Sequence, residues 1–233
     1  MEQPRPKILF LHSALGTSKD LEPLMLLLQE RGFETLSFNF SGHGSSQAMP
    51  GQFRIDLFAQ DLDQYFKKHG LKDVVIFGHS MGGYVALYHT ANFEDSPTRM
   101  IFTYGTKFNW AEHTINKELT MLDPEHLLEK FPAHADMFKA KHGENWKNLM
   151  KNTAHMMQNL ERLDGLTKED LNDINIPVFL LLGDLDRLVS SEETLLTASR
   201  LHKSQVKTIS HSKHEMDRAN LREIANIMDE NLR

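Results

Sequence analysis

Short apolar runs alternate with longer amphipathic stretches along most of this chain, and that alternation limits what it can fold into. A run of four or five β-branched or aromatic residues reads as a strand buried on both faces, and an amphipathic stretch between two runs is long enough to be a helical crossover between parallel strands. Lys7 to Leu11 is the first run, followed by a loop from His12 to Ser18 and a helix from about Lys19 to Arg31 that Gly32 stops. Phe33 to Phe40 reads as the next strand, Ser41 to Ser46 as a glycine-serine loop, and Ile55 to His69 as a helix ended by Gly70. Val74 to Phe77 is a third strand, Gly78 to Gly83 a turn into a helix from Tyr84 to Asn92, and Met100 to Tyr104 a fourth strand. The expected class is α/β, with a mainly parallel sheet of about six strands flanked by helices.

The alternation stops at Gly105 and resumes only near Asn175. Between them the pattern predicts helices around 109–121, 125–131, 133–141 and 144–163, with Asp123-Pro124 as an N-cap and first helical position and with Gly143 and Gly165 as breaks. The expected organisation is a core of 1–105 and 176–233, with 106–175 as a helical cap inserted after the strand that ends near Tyr104. Gly105 and the stretch near Asn175 are its hinge candidates. Afterwards Val178 to Leu182 and Val206 to Ile209 read as strands, and Glu192 to Leu201 and Arg218 to Leu232 as helices.

At 233 residues, 40% of them hydrophobic, the chain can bury a core without staples. It has no cysteine, which excludes disulfides, thiolate metal sites and a cysteine nucleophile, and fits a reducing compartment. Its net charge of −6 and lack of a basic run argue against nucleic acid as a partner. No run approaches the roughly 20 apolar residues of a membrane span, and the Met1 to Lys7 leader is too short in apolar residues for a signal sequence, so a cytoplasmic protein with no membrane partner is expected.

The sharpest chemical signal is Gly78-His79-Ser80-Met81-Gly82, a G-x-S-x-G pattern between an expected strand and an expected helix. Such a turn lifts Ser80 from the carboxyl edge of the sheet, and small residues at 78 and 82 let neighbouring backbone approach. A serine hydroxyl is a poor nucleophile until a base takes its proton, so a histidine and a carboxylate must follow at other strand ends. Asp184 and Asp186 follow the strand Val178 to Leu182, and His211 and His214 follow Val206 to Ile209. The chain order is serine, aspartate, histidine.

With these motifs the chain resembles the α/β-hydrolase fold superfamily, specifically small cytosolic serine hydrolases with a helical cap, over nearly its whole length. The resemblance implies Ser80 as nucleophile, Asp186 as the acid that orients the base, and His214 as general base, leaving Asp184 as a loop cap. His12-Ser13-Ala14-Leu15-Gly16 resembles the family's oxyanion loop, with Ser13 at a usual glycine position and His12 ordering the loop. Backbone N–H groups of Ala14 and Met81 would form the oxyanion hole, and Gly78, His79 and Gly82 the nucleophile elbow. Ser41 to Ser45 resembles a structural glycine loop, with Asn39 where the family has an aspartate. Because the family normally carries two further strands and only seven residues precede Ile8, the resemblance implies six strands, ordered second, first, third, fourth, fifth, sixth in chain sequence.

Most of the cap's aromatic and methionine residues, Phe131, Met137 and Met150 among them, read as its own core. Leu15, Phe108, Trp110, Trp146 and Met156 are candidates for an apolar acyl pocket. Lys107, His113 and His155 could read a polar group of the substrate, although solvent is the expected place for each. No H-E-x-x-H or equivalent ligand set is present, so neither metal nor other cofactor is expected. The function that fits is hydrolysis of a small carboxylic ester or thioester, with a small-molecule acyl substrate as the partner. The alternatives are carbon-carbon bond hydrolysis on the same triad, for which Arg162 is the cap's one arginine, and a ligand-binding receptor-like protein on a hydrolase scaffold.

Overall fold

The structure is a computed structural model that describes residues 5–46, 53–160 and 165–232. Arg162 and the end of the expected 144–163 helix lie outside those residues. Six parallel strands form one sheet in the order β2-β1-β3-β4-β5-β6: β1 Lys7–Leu11, β2 Glu34–Ser37, β3 Val74–His79, β4 Thr98–Tyr104, β5 Val178–Gly183 and β6 Ser204–Ile209. This is the order the resemblance implies.

Strand alternation divides the core between the two faces of the sheet. Leu9, Leu11, Ile76 and Ile101 point to one face and meet Phe58 and Leu62 of α2 (Ile55–His69) and Val85 of α3 (Met81–Asn92). Ile8, Phe10, Phe77 and Phe102 point to the other and meet Leu24 and Leu28 of α1 (Glu22–Gln29) and Ile224 and Met228 of α10 (Leu221–Leu232). β3 and β5 are buried along their whole length, whereas the edge strand β6 alternates.

Several boundaries differ from expectation, each for a local reason. β2 is shorter than Phe33 to Phe40 because the Phe40 N–H leaves the ladder and donates to His12 Nε2 (3.1 Å). α3 starts at Met81 rather than Tyr84, since Gly82 and Gly83, poor helix formers in isolation, are needed in its first turn for close packing. The first helix opens with a 3-10 turn, Ser18–Leu21, and α10 starts at Leu221 rather than Arg218 because Met216–Arg218 form another. Helix α9 is Ser191–Ala198, shorter than Glu192 to Leu201.

Between β4 and β5 the chain forms α4 (Glu112–Met121), α5 (Pro124–Lys130), α6 (Pro132–His142), α7 (Trp146–Asn159) and α8 (Lys168–Asp173). Asp123 caps α5 through the Glu125 N–H (3.0 Å), with Pro124 in its first turn. α8 is an addition to the expected helices, a short element started by a Thr167–Asp170 capping box and too brief to show apolar periodicity. Trp146, Met150, Leu127 and Ala135 form a small core here. Phe131 and Met137, expected in such a core, are 40% and 49% exposed instead, because α5 and α6 turn them away from it. No helix among the described residues is long and apolar enough to cross a membrane.

Candidate active site

The turn from β3 into α3 holds Ser80 at φ 51, ψ −114, a backbone region that side chains rarely adopt. Close packing forces the turn. A Cβ on Gly78 would lie 2.4 Å from Gly83 backbone, and one on Gly82 would lie 2.3 Å from the Leu11 carbonyl of β1. The Ser80 N–H donates to Tyr104 O (2.8 Å), and its carbonyl accepts from the Thr106 hydroxyl (3.0 Å) and from the Gly83 and Tyr84 N–H groups. Backbone bonds thus occupy the peptide groups and leave the side chain at the carboxyl edge of the sheet. Among the described residues the Ser80 hydroxyl makes no hydrogen bond of its own; such bonds commonly tighten only when substrate is present.

Of the two aspartates and two histidines left open by the sequence pattern, the structure pairs Asp186 with His214. His214 Nδ1–H donates to Asp186 Oδ2 (2.9 Å), and Asp186 Oδ1 accepts from the Leu188 and Val189 N–H groups (2.8 and 3.0 Å). Burial works to raise the Asp186 carboxyl, but the His214 bond and charge and the two backbone donors outweigh it and hold the group below the usual carboxylate range. Asp184 instead accepts the Ser212 N–H (2.9 Å), tying the two loops together, and His211 is exposed in a left-handed turn.

Two buried groups set the backbone that carries His214. His79 Nε2–H donates to His214 O (2.9 Å), and the Tyr104 hydroxyl donates to Lys213 O. Burial first, and then the facing His214, lowers His79 to about 3, so at neutral pH its ring is an uncharged donor. Gly105, a hinge candidate in the sequence, is tied to Leu181 O (3.0 Å) and lies against the His214–Asp186 pair.

The loop after β1 is a tight turn closed by the Gly16 N–H to Ser13 O (3.0 Å). His12 orders it: Nε2 accepts the Phe40 N–H, so Nδ1–H donates to Ser13 O (2.8 Å). Burial lowers His12 to about 4 and keeps that tautomer neutral. Asn39, at the position the family gives to aspartate, accepts the Ser18 N–H (2.8 Å).

A cavity of about 20 Å³ opens beside Ser80. Ala14 and Met81 border it, as do Trp110 and Met156 among the expected pocket residues. Leu15, Phe108 and Trp146 do not: Leu15 and Trp146 pack in the small core of the helical segment, and Phe108 packs near the Tyr84 ring. Ile55, Tyr84, Met157 and Leu160 line it as well, beyond the residues expected from the sequence. Helical spacing could have found Tyr84, four residues past Ser80, and Leu160, four past Met156; nothing in the sequence brings Ile55 there. Lys107 is a correction, because it is buried and lines the cavity rather than being solvated, with Nζ donating to Leu188 O (3.2 Å) and lying 3.6 Å from Glu118. His113 and His155 are exposed as expected. Among the described residues no group of His, Asp or Glu side chains is arranged to hold a metal.

A family model described as serine aminopeptidase, S33, matches residues 2–218. Among curated proteins, "Putative esterase/lipase 1" of Mycoplasma genitalium is 34% identical over 82 residues; the matched stretch covers 35% of this chain and 30% of that protein, so less than a third of the relative's length is spanned. Among solved structures, NosK from Streptomyces actuosus superposes with a TM-score of 0.82 at 18% identity, covering 97% of this chain and 96% of its own. A thermophilic esterase from Thermogutta terrifontis superposes with a TM-score of 0.77 at 18% identity, covering 97% and 89%. At such identities the likeness shows the fold, an α/β-hydrolase.

Proposed function

The chain belongs to the serine aminopeptidase S33 family of α/β-hydrolases, and within that family we propose that it cleaves a small carboxylic ester or thioester through an acyl-enzyme on Ser80. The observation that carries the reading is the strained Ser80 turn at the sheet edge with the hydrogen-bonded His214–Asp186 pair held beside the same edge. His214 Nε2 takes the Ser80 proton as the hydroxyl oxygen attacks the acyl carbon, and Asp186 keeps Nδ1 protonated and steadies the imidazolium that forms. The Ala14 and Met81 N–H groups hold the oxyanion, His214 returns the proton to the leaving group, and water then releases the acid by the same steps. The substrate is taken up without metal or other cofactor, and the cysteine-free chain suits action in the cytoplasm.

The lining of the cavity separates this reading from its rivals. An aminopeptidase must neutralise a substrate ammonium, yet the described lining residues include no carboxylate. Hydrolysis of a carbon-carbon bond needs a donor that polarises a ketone; Lys107 is the charged donor among the lining residues, and its ammonium is already bonded to Leu188 O and faces Glu118. The size of the apolar walls from Ile55, Met156, Met157 and Leu160 favours a short acyl group, with the deformable methionines yielding to somewhat longer ones.

The test is steady-state hydrolysis of a series of p-nitrophenyl esters and acyl thioesters by the native protein, Ser80→Ala and Asp186→Asn. Turnover on short acyl chains that falls by about 10⁴-fold in Asp186→Asn and by about 10⁶-fold in Ser80→Ala supports the triad. Absence of turnover on every ester, with Ser80 still labelled by a fluorophosphonate, favours the carbon-carbon hydrolase or the receptor.

A further inference from the structure

The loop that supplies the oxyanion donor Ala14 contains a residue in an unfavourable conformation. Leu15 has φ 57, where the Cβ of an L-residue crowds the following carbonyl. Such a conformation persists only when its surroundings over-determine it. The turn's own Gly16–Ser13 bond, His12 and the main core hold part of it, and the helical segment between β4 and β5 holds the rest.

His142, the last residue of α6, bonds two loops with its two ring nitrogens, the 13–17 loop and the 41–46 loop. Its Nε2–H donates to Leu15 O (2.9 Å), and its Nδ1 accepts the Gly44 N–H (2.9 Å). A carbonyl can only accept and an amide N–H can only donate, so the two partners dictate the neutral Nε2–H tautomer. The preceding residue, Lys141, bonds both carboxylate oxygens of Asp20 (2.8 and 2.9 Å), and Asp20 Oδ2 also accepts the Thr17 N–H (2.7 Å). The Leu15 side chain packs into the cluster of Leu127, Ala135, Trp146 and Met150. Residues 127–150 therefore hold the Leu15 carbonyl and the far end of the 13–17 turn, and share the Leu15 side chain with the main core.

We infer that His142 is a positioning residue for the oxyanion hole, locking the strained Ala14–Leu15 turn to the helical segment so that the hole is complete only while that segment is seated. The inference rests on the acyl-hydrolase reading for its catalytic consequence, but its structural core does not. It makes formation of the site conditional on the helical segment, which a purely stabilising contact would not do. The groups facing the ring are Lys141, Asp20, His43 (ring centroids 6.2 Å apart) and His12. Burial first, with Lys141 acting in the same direction against Asp20, lowers His142 below the ordinary histidine value and preserves the Gly44 bond at neutral pH.

The experiment compares native protein, His142→Ala and Lys141→Ala by three readouts: kcat and KM on p-nitrophenyl acetate, the rate at which a small fluorophosphonate modifies Ser80, and amide hydrogen exchange at Ala14, Leu15 and Gly44. Phosphonylation also builds negative charge on an oxygen in the hole, so it reports on the hole without turnover. His142→Ala is expected to lose about 10- to 100-fold in kcat and in phosphonylation, with KM changed less than about twofold. Gly44 exchange should rise at least about 10-fold while the amides of β3 keep their protection, which shows that the fold survives. Lys141→Ala should move all three the same way by less. A raised KM with unchanged kcat and phosphonylation overturns the inference, as does unchanged exchange at Leu15 and Gly44. If the native protein hydrolyses no ester, the functional reading fails by itself, and the exchange and labelling rates still decide the role of His142.

Discussion

Gly105 offers a direct test of how closely the His214–Asp186 pair is fitted to the end of β4. It sits at φ 60, and a methyl group there would lie 3.0 Å from His214 Nδ1, 3.1 Å from Asp186 Oδ2 and 3.2 Å from His214 Cε1. All three distances are shorter than ordinary van der Waals contact, so in Gly105→Ala the pair must retreat by a few tenths of an ångström. Two costs follow, and a second variant separates them. The left-handed backbone costs alanine about 1–2 kcal/mol, or a Tm lower by about 2–8 °C in a chain of this size. A 1 Å misplacement of a reacting group costs about 100-fold in rate, so a displacement of a few tenths should cost about 10-fold in kcat/KM. Gly70, at the end of α2, has φ 57, and a methyl group there would meet nothing within 4 Å. Gly70→Ala therefore shares the backbone cost without the crowding. Calorimetry should find similar falls in Tm for the two variants, and ester hydrolysis a loss only in Gly105→Ala. Equal kcat/KM in both would show that the pair does not depend on the space glycine leaves, and would refute the reasoning.

Ser80→Gly should be inactive yet more stable than the native protein by about 1 kcal/mol, because glycine accepts φ 51 without strain; an unchanged or lower Tm would deny the strain. Acid should unfold the protein steeply. His12, His79 and His89 are held by burial at about 4, 3 and 4, so below pH 6.5 the unfolded chain binds protons that the folded one does not. Stability is then complete above pH 6.5 and falls by up to about 1.4 kcal/mol per pH unit for each histidine down to its folded value, a trend that urea midpoints at pH 7, 6 and 5 would check. Met156→Ala should widen the cavity and raise kcat/KM for hexanoate relative to acetate esters by about 10-fold; no change in that ratio would place the acyl chain elsewhere. Tyr104→Phe removes the hydroxyl that holds Lys213 O and should lower kcat several-fold with little change in KM; a change confined to KM would contradict the positioning role given to Tyr104.

What could be read from the sequence was what depends on short-range pattern. Ile55 to His69 matched its helix residue for residue because apolar spacing and a C-terminal glycine are both local, and Lys7 to Leu11 matched because an apolar run bounded by polar residues leaves no other reading. The strand order followed from the resemblance, and the paired Asp186 and His214 were preferred for the same reason rather than from spacing. Lys107 was misplaced because a lone lysine beside a strand end looks solvated until the loop 184–190 and α4 fold over it and supply Leu188 O and Glu118. Leu188 is 81 residues away, outside any window of sequence, and Glu118, although near in sequence, is brought to Lys107 only by the turn into α4.

The same limit explains why the 13–17 loop, proposed to hold the oxyanion, was legible and its support was not. His12, Ala14 and Gly16 form a recognisable pattern, but the bond that holds Leu15 comes from His142, 127 residues later, at the end of a helix whose own sequence shows only an ordinary basic last turn. Glu193 repeats the arrangement on the other side of the site: Oε2 of this buried carboxylate accepts the Phe108 and Asn109 N–H groups (3.0 and 2.8 Å), while Oε1 accepts the Ser190 N–H (2.8 Å) at the end of the loop that carries Asp186. One end of the helical segment is thus bonded to the acid loop and its middle to the oxyanion loop. Burying these polar groups is tolerable only because each is paired, so displacing the helical segment would unpair donors and acceptors at both loops together. That shared cost couples the order of the 184–190 loop and of the 13–17 loop to the packing of the helical segment against both.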